Sequence, residues 1–182
     1  MNAIVPASKL AMVAQQGEAV TAQQTQYLTF MLGGEMFAIG ILAIKEIIEY
    51  GSVTAVPMMP AFIRGVINLR GEVVPVMDLA LRCGKASSEV TKRTCVIIVE
   101  VTSGNERHDV GVVVDAVSEV LEIALADIEP PPAFGARIRT EFIQAMGKVR
   151  GKFVILLATD QVLAIDDVTQ LGKADAVPAV AA

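Results

Sequence analysis

The 182-residue sequence has no tryptophan, only two tyrosines, one histidine and two cysteines. Each scarcity removes a class of function. Cys83 and Cys95 lack CxxC spacing, so they read as small apolar core residues in a reducing compartment and not as a disulfide framework or a zinc site. His108 has no second histidine with which to share a metal, and beside Asp109 in an expected loop it reads as a solvated surface residue. There is no GxxxxGKS/T or GxGxxG run to cradle nucleotide phosphates. Lysines and arginines form no cluster, and a net charge of −5 argues against nucleic acid as a partner. No apolar run approaches the roughly 20 residues of a membrane-spanning helix, so no direct membrane insertion is expected. The longest run, residues 37–44, contains Gly40. Residues 1–16 carry no basic stretch ahead of an apolar one, which gives the expectation of a cytoplasmic chain without a secretory signal. The neighbouring carboxylates Asp166 and Asp167 read as a solvated face. This inventory points away from an enzyme, and no cofactor or metal is expected.

What is present is apolar and β-forming: 53% of residues are hydrophobic and mean hydropathy is +0.55. Residues 27–32 and 35–39 flank Gly33-Gly34, a hairpin connection that accepts positive φ. Residues 66–69 and 73–77 flank Arg70-Gly71 as a second hairpin, with Pro75 calling for a sheet edge or a bulge because it has no amide donor. The β-branched stretch 95–101, the Ser103-Gly104-Asn105 turn and residues 110–114 make a third, and Val149-Arg150-Gly151-Lys152 leads into strand 153–157. Helix is scarce. Ile41, Ile44 and Ile48 suggest a helical turn running into a strand, and residues 61–63 and 160–163 suggest single turns, the latter with Asp160 as N-cap. Residues 1–25 and 173–182 read as disordered tails around a domain spanning 26–172. Many short strands with glycine-bearing turns favour a barrel or sandwich over a parallel sheet.

An internal repeat refines this picture. Residues 37–49 can be laid over 110–122, with Ala43 on Ala116, Glu46 on Glu119 and Glu49 on Glu122, and aliphatic side chains shared between them. Pro60-Ala61-Phe62 matches Pro132-Ala133-Phe134 at nearly the same offset, and Leu69-Arg70-Gly71 resembles Val149-Arg150-Gly151 at a wider one. The anchors keep one order, so the chain is expected to form two similar lobes, each a small barrel, the second with an eight-residue insertion. A repeat this long suits domain-sized duplication and not a solenoid.

Partner-binding residues are sought where the repeat leaves aliphatic side chains on both lobes. Ile44, Ile47, Val117 and Val120 are either ordinary core or an exposed interaction patch. Arg70, at a hairpin tip, is either solvated or placed to hold a partner through bidentate hydrogen bonds, with Glu46 as an intramolecular or partner-side mate.

Three stretches carry a resemblance: residues 65–79 (Gly-Val-Ile-Asn-Leu-Arg-Gly-Glu-Val-Val-Pro-Val-Met-Asp-Leu), residues 111–120, and Phe37-Ala38-Ile39 leading to Glu46-Ile47. Together they resemble the CheW family of chemotaxis coupling proteins, over about residues 26–170. The resemblance implies a mainly β fold of two tandem five-stranded SH3-like barrels packed together, with a few short helices. It also implies a non-catalytic adaptor joining the cytoplasmic tip of a chemoreceptor to the regulatory domain of a CheA-type histidine kinase, in membrane receptor arrays. By motif position Ile44, Glu46, Arg70, Val117 and Val120 carry over as partner-contacting residues. A paralogue serving a pilus, gliding or other chemosensory-like pathway is the alternative. An excised kinase regulatory domain fits less well, since the sequence starts at Met1 with no ATPase pattern ahead.

Overall fold

The computed structural model describes residues 26–131 and 140–164. The expectations for the two tails, for Pro132-Ala133-Phe134 and for Asp166-Asp167 lie outside those residues. The first hairpin is β1 (Gln26–Leu32) and β2 (Glu35–Gly40), turned by Gly33 and Gly34 at φ +58° and +82°. A 3-10 turn at Ile41–Ala43 then enters β3 (Ile44–Glu49). Next come β4 (Ile63–Leu69), β5 (Glu72–Asp78), a short helix α1 (Leu79–Arg82), β6 (Cys95–Ser103) and β7 (Glu106–Val114). The chain continues through β8 (Ala116–Glu122), β9 (Ile128–Glu129), β10 (Ile143–Val149), β11 (Lys152–Leu157) and α2 (Thr159–Val162).

These strands form two sheets, a five-stranded one in the order β3-β6-β7-β5-β4 and a six-stranded one in the order β8-β1-β2-β11-β10-β9. The duplication is visible in their registers. Val76 pairs with Gly111 across the parallel β5–β7 ladder, and their counterparts in the repeat, Leu156 and Ala38, pair across the parallel β11–β2 ladder. The β4–β5 ladder slips between Ile63 and Gly65, and the β10–β11 ladder slips at the equivalent place, between Ile143 and Ala145. The lobes are nevertheless not consecutive in the chain. The second takes β1 and β2 from the start of the sequence and β8 to β11 from its end, so the first lobe, β3 to β7, is nested inside it. The sixth strand of the second sheet is the short β9.

Two-sided burial explains the high apolar content. Residues 110–114 are buried without interruption, as are residues 96–99, which is the pattern of a strand covered on both faces. Along β6, Ile97, Val99 and Val101 enter a large core shared by both sheets, whereas Val96 and Ile98 enter a smaller core inside the first lobe. In β1 and β2 the shared core takes Leu28, Phe30, Leu32, Phe37 and Ile39, while Tyr27 and Ala38 face a third core inside the second lobe.

Three local expectations are corrected. His108 and Asp109 lie within β7, paired with Val101 and Glu100, because the β6–β7 ladder runs on past the end of the hydrophobic pattern. Pro75 lies on an internal strand and not at a sheet edge; Val66, its partner on β4, directs its N–H and C=O to Thr54, and the β7 ladder begins only at Val76, so no ladder bond calls on the amide that Pro75 lacks. Asp160 is in the first turn of α2 and does not cap it; the cap residue is Ala158, without a side-chain bond.

Gly65 is required by close approach. Its φ is +147°, and a Cβ there would stand 2.0 Å from the carbonyl oxygen of Thr54, whose backbone pairs with Val66 through bonds of 2.8 and 2.9 Å. Gly65→Ala is therefore expected to lower stability by about 2–4 kcal/mol, against no more than about 0.5 kcal/mol for Gly51→Ala, whose surroundings are open. Urea unfolding followed by circular dichroism measures both.

Candidate partner-binding surfaces

The β4–β5 turn holds Arg70 at φ +53° and Gly71 at +87°, and the Asn68 side-chain oxygen accepts the Gly71 amide at 2.9 Å. A left-handed arginine is an uncommon choice, since the conformation costs a residue with a Cβ about 1 kcal/mol or more. It directs the guanidinium to Glu46 on β3, with Nη1 to Oε1 at 2.6 Å and Nη2 to Oε2 at 3.0 Å. Glu46 is set by a register slip on β3 between Ile44 and Glu46. Because β3 and β4 are the outermost strands of their sheet, this bidentate pair joins its two ends. The Arg70 side chain remains 75% exposed, open to a further partner.

The arrangement recurs in the second lobe. Arg150 sits at φ +50°, followed by Gly151 at +78°, and its Nη1 lies 3.5 Å from Oε1 of Glu119. Glu119 on β8 is positioned by Thr29, a fully buried residue whose hydroxyl donates to the Glu119 carbonyl at 2.8 Å and accepts its amide at 3.2 Å. Glu119–Arg150 is thus the counterpart of Glu46–Arg70. Both halves of that correspondence lie in the repeat, although motif position draws attention only to Arg70 and Glu46.

The five sequence candidates divide accordingly. Arg70 and Glu46 meet directly. Ile44 and Val117 are half-buried and pack against the shared core, the ordinary-core alternative. Val120 is 51% exposed and Ile47, its counterpart on β3, is 42% exposed, the surface alternative. Beside Glu119 and Arg150 an apolar groove of about 590 Å³ opens, lined by Met31, Met36, Met146, Val149 and the exposed ring of Phe153.

Other polar groups serve architecture. Asp78 is fully buried, accepts the Leu81 amide at 3.2 Å as N-cap of α1, takes the Ser87 hydroxyl at 2.6 Å and is paired with Arg64 at 2.9 Å. Burial pulls the Arg64 pKa down, but Tyr50 and Asp78 outweigh it and leave it raised. These contacts hold Ser87 and Ser88, in the connection between α1 and β6, against the first lobe. No local sequence pattern joins residues so spaced, so sequence reasoning misses this cluster. Among the described residues no group of three or more His, Cys, Asp or Glu side chains is placed to hold a metal ion, and no helix is long and apolar enough to cross a membrane.

Cys83 is buried, which pushes its thiol up to about 12, whereas Cys95 is half-buried at the start of β6. Ellman's reagent at pH 8 is expected to titrate Cys95 in the native protein and Cys83 only after denaturation. Asp78→Ala is expected to cost about 3 kcal/mol, since it takes the fully buried carboxylate away from the partly buried Arg64 and removes a helix cap. Thermal unfolding of the variant checks this.

Comparison with known proteins agrees with this geometry. Residues 26–167 match the CheW-like domain. The chain is 34% identical to the chemotaxis protein CheW of Klebsiella aerogenes over 167 residues, covering 92% of this chain and 93% of that one. It is 34% identical to the protein FrzA of Myxococcus xanthus over 112 residues, 62% of this chain and 68% of that one. Among solved structures, the scaffolding protein TtCheW of Thermoanaerobacter tengcongensis superposes with a TM-score of 0.67 at 35% identity, covering 74% of this chain and 88% of that one. With a CheW-like domain over residues 26–167, a relative 34% identical over 92% of the chain and a solved structure of the same kind at 35% identity, this chain belongs to the CheW family.

Proposed function

We propose that the chain is a non-catalytic adaptor that couples the cytoplasmic tip of a chemoreceptor to the regulatory domain of a CheA-type histidine kinase within membrane receptor arrays. The observation that carries this reading is the repetition of one surface device on two lobes: a left-handed hairpin-tip arginine, an edge-strand glutamate, and an exposed aliphatic on the same strand as a half-buried one. A molecule that offers two related faces can hold two proteins at once, which is what coupling demands. A receptor tip is an amphipathic helical hairpin, and the aliphatic side chains of β3 and β8 give such a helix an apolar strip to lie against. Arg70 and Glu46 then fix its register by polar contact, while weak individual contacts gain strength by repetition across an array. A second reading, a paralogous coupling protein of another chemosensory-like pathway, is favoured by the likeness to FrzA and shares the same mechanics.

Reconstituted with a cognate receptor and kinase, the protein is expected to raise receptor-dependent kinase autophosphorylation while turning over nothing itself. Equal stimulation without it would refute the adaptor reading. Arg70→Glu is expected to keep the far-ultraviolet circular dichroism spectrum and to weaken receptor pull-down on the order of tenfold. The charge-swapped double variant, Glu46→Arg with Arg70→Glu, separates two roles for the pair. Recovery of the melting temperature without recovery of binding is expected if Arg70 touches the receptor; recovery of both would make it a purely internal tie.

A further inference from the structure

Both lobes hold a phenylalanine just ahead of their first hairpin strand, and both hold it in the same way. The Asp78 amide donates to the Phe62 carbonyl at 2.6 Å, and at the equivalent place in the second lobe the Ala158 amide donates to the Phe142 carbonyl at 2.8 Å. Between these two equivalent rings lies one cation. The Arg82 guanidinium carbon is 4.8 Å from the centre of the Phe62 ring and 5.0 Å from that of Phe142. Its Nε donates to the carbonyl of Val162 at 2.9 Å, and Val162 is the residue that occupies Arg82's own position in the second lobe. A side chain of α1, in the first lobe, therefore grips a ring from each lobe and the helix α2 of the other.

We propose that Arg82 is a positioning residue that fixes the angle between the two lobes, and that receptor control of the kinase depends on this angle; the second half rests on the adaptor reading above. The shared core binds the lobes together, but apolar burial has no preferred direction and tolerates small rotations. A guanidinium is planar, stacks only over ring faces, and donates along fixed directions, so three contacts from one such group define an orientation. Its own footing is firm. Helix α1 is capped by the buried Asp78, which Arg64 and Ser87 hold in turn, so Arg82 moves with the first lobe. Rotation of the second lobe then has to break the bond to Val162 or slide Phe142 off the cation. An adaptor without chemistry passes on only geometry, and the lobe angle is the geometry that relates its two partner faces.

The test uses the full chain with Arg82→Met, which keeps an apolar stem and loses the cation and the donor, and Arg82→Lys, which keeps the cation alone. Backbone residual dipolar couplings are fitted with one alignment tensor per lobe. The wild type is expected to need a single shared tensor, Arg82→Met two distinct ones, and Arg82→Lys a smaller divergence; if Arg82→Met does not fold, the lysine variant carries the comparison. A single tensor for the folded variants overturns the proposal. With receptor tip and kinase regulatory domain added one at a time, binding of each is expected to be unchanged in Arg82→Met, while receptor control of the kinase falls about tenfold. Control that survives a changed angle overturns the second half, and so does a parallel loss of binary binding, which marks an ordinary stability role. A wild type that shows no coupling at all refutes the adaptor reading and leaves the tensor comparison standing.

Discussion

Phe30, Phe37, Ile97 and Val112 expose no surface, and all four lie in one core that draws on both sheets at once. Their strands are covered on the opposite faces as well, by two smaller cores. This double coverage is the constraint from which the rest follows. Strands buried on two sides offer few side chains to a partner, so the exposed aliphatics Ile47 and Val120 and the arginines Arg70 and Arg150 stand on the outer strands β3 and β8 and at the hairpin tips. It also makes neither lobe complete alone, because each sheet would expose the face that now builds the shared core. An overall apolar fraction of 53% is thus consumed largely inside, while Leu42, Met58, Val73 and Phe153 stay exposed as well as Ile47 and Val120.

Displacement to the edges creates its own problem, since outer strands carry unpaired backbone groups that invite unwanted pairing. Each lobe answers with the same tie across its sheet, an arginine from a hairpin tip and a glutamate from an edge strand. The two ties differ in strength of geometry: Glu46–Arg70 is bidentate, with the turn braced by Asn68, whereas Glu119–Arg150 is a single contact and Lys148 stands where Asn68 does. Exposed pairs of this kind add little to stability. The strain of a left-handed arginine, accepted twice over, is better explained by where it puts the guanidinium than by the fold's own needs.

The hairpins and the duplication were legible because each is written in short range or in repetition, and Arg70 and Glu46 were legible as candidates whose mate stayed open between each other, a partner and solvent. Gly33-Gly34 announces a turn that accepts positive φ, and the matching segments announce two lobes, but the left-handed conformation of Arg70 and Arg150 is not written in the sequence. Nesting of one lobe in the other was not legible, since no local pattern tells β1 and β2 that their sheet is completed only after the whole first lobe, by β8 and by β10 and β11. Which of the repeated aliphatics face outward was left open for a related reason. Composition counts apolar residues but not the number of covered faces, and Ile44 and Val117 went to the core while Ile47 and Val120 did not. Asp78 lies in the stretch that carries the resemblance, but its partners and those of Arg82 are brought together only by tertiary structure.

Duplication followed by nesting has a mechanical consequence that two barrels on a string would lack. With β1 and β2 entering the second lobe first and β8 to β11 closing it after the first lobe is threaded, the chain crosses between lobes at two places, residues 41–43 and Asp115. The second crossing is itself tied back, the Asp115 amide donating to the Met31 carbonyl at 3.0 Å and its carboxylate accepting the Gly33 amide at 2.8 Å. Two short crossings and a common core forbid the large independent motions of linker-joined domains. What they leave free is small rotation about the seam, which the contacts of Arg82 with Phe62, Phe142 and Val162 span. On the adaptor reading proposed above, two partner faces carried by such a body are related by rotation about the seam and not by a change of separation.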